Sequence, residues 1–377
     1  MDIAILCEYA TVSGGEQSML ATLDGVRRAG FNIFVLGAAE GPLAQRLVER
    51  GIKVVPFAIS DPAGRHRPTA ELREELARLL TRRRPALLHA NSLSMGRLSG
   101  PVARELCLPS LAHLRDIVRL SRQAVADINC HRRLLAVSRA TRDFHVAGGL
   151  AAERTFVLHN GVDLKRFEPR SRTGCLHREL GLSLDCHLIG TIGQIGLRKG
   201  LDTLAQAAVL VGPRTPEVHY LILGERWSDK AESRQFEAAL REVARRDLAG
   251  RMHFLGYRGD VDRLLPELTL LVHPARQEPL GRVLLEAAAC GTAIVATDVG
   301  GTPEIFPPES QAARLVRPDD VQRLAQAIQD LLGDEACRAA MGAAARRRAV
   351  AAFDAEQAAT GLVSHYREVL DARSGRS

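Results

Sequence analysis

The chain has 377 residues, 46% hydrophobic and 25% charged, with 51 Lys+Arg against 44 Asp+Glu for a formal charge of +7. That length corresponds to two domains or one large one, at roughly 100–200 residues each. The composition excludes a disordered chain, a collagen-like chain and a small disulfide scaffold. Lysine occurs only at Lys53, Lys165, Lys199 and Lys230, and every other basic residue is Arg. The charge is also uneven: residues 1–168 carry 24 basic and 17 acidic groups, whereas residues 169–377 carry 27 of each.

Candidate strands are short apolar runs bounded by Gly, Pro, Asn or Asp. In the first half they fall at 3–8, 32–36, 53–57, 86–91, 110–114, 134–138 and 155–158, with helical periods between them, as at 16–29 and 70–83. Residues 160–185 hold turn formers, charges and Pro169 without a sustained period, and read as a linker. The alternation restarts at 188–193, 219–224, 252–256, 269–273, 293–297 and 313–316. This is the pattern of two consecutive α/β domains with parallel, doubly wound sheets, in which ligands bind beyond the carboxyl ends of the strands. The expected domains are 1–168 and 169–350. A last helical stretch within 351–373, strongest from Glu356 to Asp371, is a candidate to dock back on the first domain.

Other signals are plainer. The seven cysteines are odd in number and lack C-x-x-C spacing, so they read as small buried apolar residues in a reducing compartment. The chain opens on an apolar strand without leader features, and no run approaches the ~18 apolar residues of a membrane span. A cytoplasmic, non-integral protein is expected. The Arg runs 82–84 and 346–348 read as solvated helix faces, and no nucleic-acid motif accompanies them.

Three segments carry chemistry. After the strand at 269–273, Glu278 and Glu286 flank Gly281, where a helix should begin. Gly281 permits close backbone approach, and the free N–H groups of the first turn, near Arg282 and Val283, form an anion site. Arg282 and Glu286 share a helix face at i, i+4. Two glutamates alone would read as ordinary helix-terminal acids; the surroundings favour a diphosphate flanked by carboxylates that bind hydroxyls. The second segment, Gly193 to Gly200, joins a strand to a helix and is neither a Walker A loop nor G-x-G-x-x-G. It holds Gln194 and Lys199, whose ammonium is a point-charge partner for phosphate oxygens, although a solvated loop lysine is the plainer reading. In the third, Gly300-Gly301-Thr302-Pro303, Thr302 fits an N-cap and Pro303 the first helical position.

The order Gly14-Gly15-Glu16, Val137-Ser138, His159-Asn160-Gly161-Val162-Asp163, Lys199-Gly200, Leu223-Gly224, Phe254-Leu255-Gly256, Glu278-x7-Glu286, Gly291 and Gly300-Gly301-x-x-Glu304 resembles the retaining glycosyltransferases of family 4. The resemblance covers nearly the whole chain and is dense from Ala136 to Phe306. It implies the GT-B architecture: two Rossmann-like domains facing across a cleft, the first for the acceptor and the second for a nucleotide-sugar donor. It implies sugar transfer to an acceptor hydroxyl in cell-surface polysaccharide, glycolipid or glycoconjugate assembly. Glu278 would contact the transferred sugar and Glu286 the donor ribose. Lys199, with Gly281, Arg282 and Val283, would hold the diphosphate, while Tyr257 and Arg258 lie near the base. Gly14 and Gly15 would face the diphosphate. The family's catalytic-region histidine maps best to His113, with His89 as competitor.

Two departures stand out. Gln194 replaces an Arg common in the family, and Leu280 an aromatic. Asp260-Val261-Asp262 spells D-x-D but precedes a helix, so its acids read as dipole partners, and neither an essential metal nor another cofactor is expected. A nucleotide-sugar epimerase and a non-catalytic nucleotide-sugar-binding subunit remain alternatives. An oxidoreductase would need G-x-G-x-x-G after the first strand. Arg65, Arg67, Arg97, Arg104, Arg115, Arg119 and Arg122 are candidates for an acidic acceptor or the anionic inner face of the cell membrane.

Overall fold

The computed structural model describes residues 1–61, 63–212 and 215–371. Two compact units emerge, one of residues 1–161 with 355–377 and one of residues 162–354. Unit 1 contains β1 (Asp2–Leu6), β2 (Asn32–Gly37), β3 (Lys53–Pro56), β4 (Leu87–Ala90), β5 (Ser110–Leu114), β6 (Arg133–Ala136) and β7 (Thr155–Val157). They form one parallel sheet in the order β3-β2-β1-β4-β5-β6-β7. Strand alternation sends Ala4 and Leu6 to one core and Ile3, Ile5 and Cys7 to the other, so helices cover both faces.

Unit 2 contains β8 (His187–Ile192), β9 (Val218–Leu223), β10 (Met252–Gly256), β11 (Leu270–His273), β12 (Ile294–Thr297) and β13 (Arg314–Val316). This sheet is also parallel, in the order β10-β9-β8-β11-β12-β13. Each sheet reverses its winding once, between β1 and β4 in unit 1 and between β8 and β11 in unit 2. Loops leaving the two central strands diverge there, which opens a crevice at the carboxyl ends.

The helix Ala355–Asp371 belongs to unit 1, although 193 residues of unit 2 precede it. Leu362, Val363, Tyr366 and Val369 recur at helical spacing and join the core that holds Met19, Leu23 and Val26. The approach is close at Gly25, where a Cβ would lie 2.5 Å from that of Ala359. Residues 372 and 373 of the expected stretch lie outside the described residues.

Four expectations change. The boundary falls at Gly161/Val162 and not at 168/169, because the Val162 N–H donates to the Phe353 carbonyl at 2.8 Å and Arg346 donates to that of Phe167 at 2.9 Å. The supposed linker at 160–185 is consequently built into unit 2, with a short helix Cys175–Leu180. Arg346 and Arg348 are not solvated: they satisfy the carbonyls of Phe167 and Ala289, and of Ile305 and Glu304, at helix and loop ends. Among the seven cysteines only Cys7 and Cys290 are buried, and Cys107 is exposed. No helix among the described residues is long and apolar enough to cross a membrane.

Leu362 is 3% exposed in this core. Leu362→Ala is therefore expected to cost about 2–5 kcal/mol by leaving a cavity, read as a lower urea midpoint for unit 1. An unchanged midpoint would show that the terminal helix does not contribute to that fold.

Candidate active site

The crevice of unit 2 is built by the loops after β8 and β11. The loop after β8 carries Gln194, half-buried, and then a turn of 3-10 helix, Leu197–Lys199. β11 ends on His273, and Glu278 lies on the loop beyond it. The Lys199 ammonium donates to Glu278 Oε2 at 2.6 Å, and His273 Nε2 meets the same oxygen at 2.8 Å. All three side chains are largely withdrawn from water, with Lys199 18% exposed and Glu278 9%. Burial pushes the Glu278 carboxyl up, but the Lys199 charge and the His273 hydrogen bond outweigh it and hold the group well below the usual carboxylate range. Burial lowers the His273 pKa, so that ring is neutral and donates Nε2–H to the carboxylate. The site thus presents a fixed anion beside a fixed cation.

Close backbone contacts set this geometry. Arg276 spans the two loops, donating to the Leu197 carbonyl at 2.8 Å and pairing with Asp202 and Asp319 at 2.7 Å. Gly200, at φ +63°, runs against Pro274, where a Cβ would lie 2.0 Å from the carbonyl oxygen. Gly300, at φ +54°, does the same against Glu278 at 1.9 Å, while the Gly301 N–H donates to the Glu278 carbonyl at 3.0 Å. The Gly300-Gly301 segment thereby braces Glu278. Gly301 itself is the N-cap of the helix Thr302–Ile305, so Thr302 is not the cap and Pro303 is its second residue.

Gly281, at φ +101°, is the N-cap of the helix Arg282–Cys290, whose first turn includes Val283. Arg282 pairs with Glu286 at 2.7 Å across one turn, and Arg282 Nη1 is buried without a hydrogen-bond partner. Burial raises the Glu286 pKa against the pull of Arg282. A spare donor, a carboxylate and a free helix terminus therefore adjoin Glu278 in sequence. Tyr257 and Arg258 follow β10, two strands from the switch point. Tyr257 is 61% exposed, but Arg258 already pairs with Glu179 at 2.7 Å and Asp260 at 2.8 Å. In the D-x-D segment, Asp260 is the N-cap of the helix Val261–Leu264 and Asp262 lies in its first turn, as expected of helix-terminal acids, and the two also pair with Arg258 and Arg166 at 2.8 Å.

Unit 1 gathers a second cluster at its own switch point. Gly14 and Gly15 open the helix Gly14–Arg28 after β1, and a Cβ on Gly15 would press on the Arg115 side chain at 3.1 Å. Arg115, just beyond β5, donates to the Asn91 carbonyl and Oδ1 at 2.9 Å and to Asn160 Oδ1 at 2.8 Å. This removes Arg115 from the candidate basic surface. Arg65 and Arg67 are likewise paired, with Asp61 and Glu75, while Arg97, Arg104, Arg119 and Arg122 are exposed. His113 on β5 and His89 on β4 are not alternatives: His89 Nε2 meets His113 Nδ1 at 2.7 Å in one buried cluster.

Sequence reading missed His273, Arg276 and the inward role of Arg115. His273 and Arg115 stand at strand ends facing a switch point, a position that by itself marks polar residues for the crevice.

Two doubly wound parallel-sheet units, the second with a carboxylate, an ammonium and a helix terminus at its crevice, have the architecture of a GT-B glycosyltransferase. A model of "Glycosyltransferase Family 4" matches residues 12–166, and one of "Glycosyl transferases group 1" matches residues 186–334. The lipopolysaccharide core biosynthesis mannosyltransferase LpsB of Rhizobium meliloti is 28% identical over 70% of this chain and 77% of its own length. A GDP-mannose-dependent phosphatidylinositol monomannoside mannosyltransferase of Corynebacterium glutamicum is 34% identical, over half of each chain. An alpha-maltose-1-phosphate synthase of Mycobacterium tuberculosis is 32% identical over 63% of each. The fold matches that of Anabaena HepE, crystallised with UDP, at a TM-score of 0.84 and 24% identity over 98% of this chain and 100% of that one. The chain belongs to the GT-B glycosyltransferases of the family 4 type.

Because the folded Glu278 pKa lies below its unfolded value, its pairing stabilises the fold above about pH 4.3, and this contribution is lost as pH falls through the folded value. Lys199→Ala is expected to lose that contribution. The stability gap between the two proteins should be widest above about pH 4.3 and narrow toward acid. A gap independent of pH, measured by urea unfolding across pH 2–7, would show that the pair does not carry it. Gly300→Ala should cost about 1–3 kcal/mol through displaced backbone, visible as a lower melting temperature.

Proposed function

We propose that this protein transfers a hexosyl group, with retention at the anomeric carbon, from a nucleotide diphosphate sugar to an acceptor hydroxyl in cell-surface glycolipid or polysaccharide assembly. The Lys199–Glu278–His273 triad beside the Gly281 helix terminus carries this reading. The bond from the anomeric carbon to the leaving phosphate oxygen breaks while one to the acceptor oxygen forms. Negative charge grows on the diphosphate, which Lys199, the N–H groups of Gly281, Arg282 and Val283, and the spare Arg282 nitrogen are suited to stabilise. Gln194, on the same loop as Lys199, adds a neutral donor. Glu278, fixed as an anion, accepts hydrogen bonds from the transferred sugar's hydroxyls. Its 9% exposure makes it a positioning carboxylate and not a freely approached nucleophile. The acceptor attacks from the leaving-group side, and its proton passes to the departing phosphate oxygen. Glu286 holds the ribose, with Tyr257 beside the base. On the family resemblance, His113 contacts the transferred sugar.

The GDP-mannose dependence of the Corynebacterium relative makes GDP-mannose the first donor to test, and the UDP-glucose bound by HepE makes UDP-glucose the second. No metal takes part in this reading, since Asp260 and Asp262 are committed to Arg258 and Arg166. The exposed Arg97, Arg104, Arg119 and Arg122 give unit 1 a basic surface suited to anionic lipid at the cytoplasmic face of the membrane.

Lys199→Ala should lower kcat/KM for the donor by at least about 100-fold, or ~3 kcal/mol of transition-state stabilisation. Glu286→Ala should act mainly on nucleotide affinity, read as a smaller thermal shift with GDP or UDP. Retained kcat/KM in Lys199→Ala, an inverted product by proton NMR, or donor turnover without acceptor that yields an epimer would each overturn the assignment. Full activity in EDTA is expected, as is salt-sensitive binding to phosphatidylglycerol vesicles.

A further inference from the structure

The histidine pair of unit 1 continues beyond the two sheet strands. Tyr366, on the C-terminal helix, places its hydroxyl 2.6 Å from His89 Nδ1, and His89 Nε2 lies 2.7 Å from His113 Nδ1. Arg115 Nη2 lies 3.3 Å from that same His113 Nδ1. Tyr366, His89 and His113 are 0%, 1% and 4% exposed, so no water replaces these contacts freely. His113 and His89 line a cavity with Arg115, Asn160, Thr22 and Leu362. Among the described residues, His113 Nε2 is the ring nitrogen of the pair that has no hydrogen-bond partner.

The directions of these bonds follow from what each group can do. A guanidinium only donates, so a proton on His113 Nδ1 would point at a cation. His113 Nδ1 therefore bears the lone pair and accepts. His89 Nε2 must then carry the proton it shares with His113. Burial lowers the His89 pKa to about 3, so the ring is neutral and its Nδ1 has no proton. That nitrogen accepts from the Tyr366 hydroxyl, whose own pKa burial raises. His113 is held neutral for the same reason as His89, first by burial and then by the Arg115 charge. Its remaining proton is on Nε2.

We infer that His113 acts as a neutral hydrogen-bond donor through Nε2–H, and not as a base, with its tautomer fixed by a chain of bonds running from Tyr366 through His89. This rests on the proposal that His113 touches the reacting sugar, and it assigns the chemistry of that contact. The partner is a sugar hydroxyl or ring-substituent oxygen that accepts. Arg115 enforces the direction at one end and Tyr366 at the other. His89 and Tyr366 are positioning residues. The docking of the C-terminal helix thereby sets the protonation pattern of a residue more than 250 positions earlier in the chain.

The test uses the full chain labelled with 15N-histidine, together with turnover of GDP-mannose and UDP-glucose. In the native protein, His89 and His113 should each show a proton-free Nδ1 and a protonated Nε2. Tyr366→Phe keeps the ring packed against Phe31 but removes the donor. It should mix the His89 and His113 tautomers and lower kcat by roughly 10–100-fold, the range known for partners that orient a metal-bound imidazole, with KM for the donor held within about two-fold. Val369→Ala loosens the same helix without touching the relay, and should lower the melting temperature while leaving kcat and the nitrogen spectrum unchanged. Unaltered kcat and tautomers in Tyr366→Phe would overturn the relay, as would a protonated Nδ1 on native His113. Native-like kcat in His113→Ala would instead overturn the underlying role of His113, so the two failures are distinguishable.

Discussion

The buried ion pair of Lys199 with Glu278 is the constraint around which the second unit is arranged. A carboxylate with this little exposure is costly to keep ionised, and two neighbours offset that cost: the Lys199 ammonium and the His273 N–H. Lys199 arrives on the loop after β8 and His273 at the end of β11, and both must come within a few ångströms of the carboxylate. The close passes at Gly200 and Gly300, together with the Arg276 clamp, exist in that sense to hold one oxygen atom in place. Removing either charge would leave its partner buried and unpaired, which is worse than never having had the pair.

The same logic governs unit 1 with different chemistry. There the buried groups are two imidazoles, and the low-dielectric setting keeps them neutral where the second unit keeps a charge. Arg115 could have neutralised a carboxylate; instead three asparagine oxygen contacts satisfy it, and its remaining capacity orients His113. The formal excess of +7 stays with this unit as the structure bounds it. Arg115 and Arg67 are drawn inward, onto Asn91 and Asn160 and onto Glu75, whereas Arg65 stays exposed beside Asp61.

Both sheets place their polar clusters at the point where the strand order reverses. That follows from topology: loops after adjacent central strands turn to opposite faces and leave their N–H groups and side chains uncovered. The unusual element is the terminal helix. It closes the apolar face of unit 1 with Leu362, Val363 and Val369, and its one polar side chain in that core, Tyr366, meets His89. Packing and hydrogen bonding are therefore supplied by the same segment.

The amino-acid sequence by itself determined the two α/β units, the order of their strands along the chain and the glycine-bounded loops. Apolar runs flanked by turn residues have few other ways to bury both faces. It also marked Lys199, Glu278 and Glu286, because a rare lysine and two glutamates around a helix start form a local pattern. Tertiary structure alone decided how these residues meet. His273 and Arg276 carry no spacing signal; they matter because β8 and β11 are neighbours despite the long stretch between them. Sequence set His89 against His113 as rivals, but adjacent strands make them partners. The domain boundary moved to Gly161/Val162 because hydrogen bonds to residues near 350 claim the following segment. The fate of Tyr366 depended on which unit the last helix joins, and only the packing of its apolar face settles that.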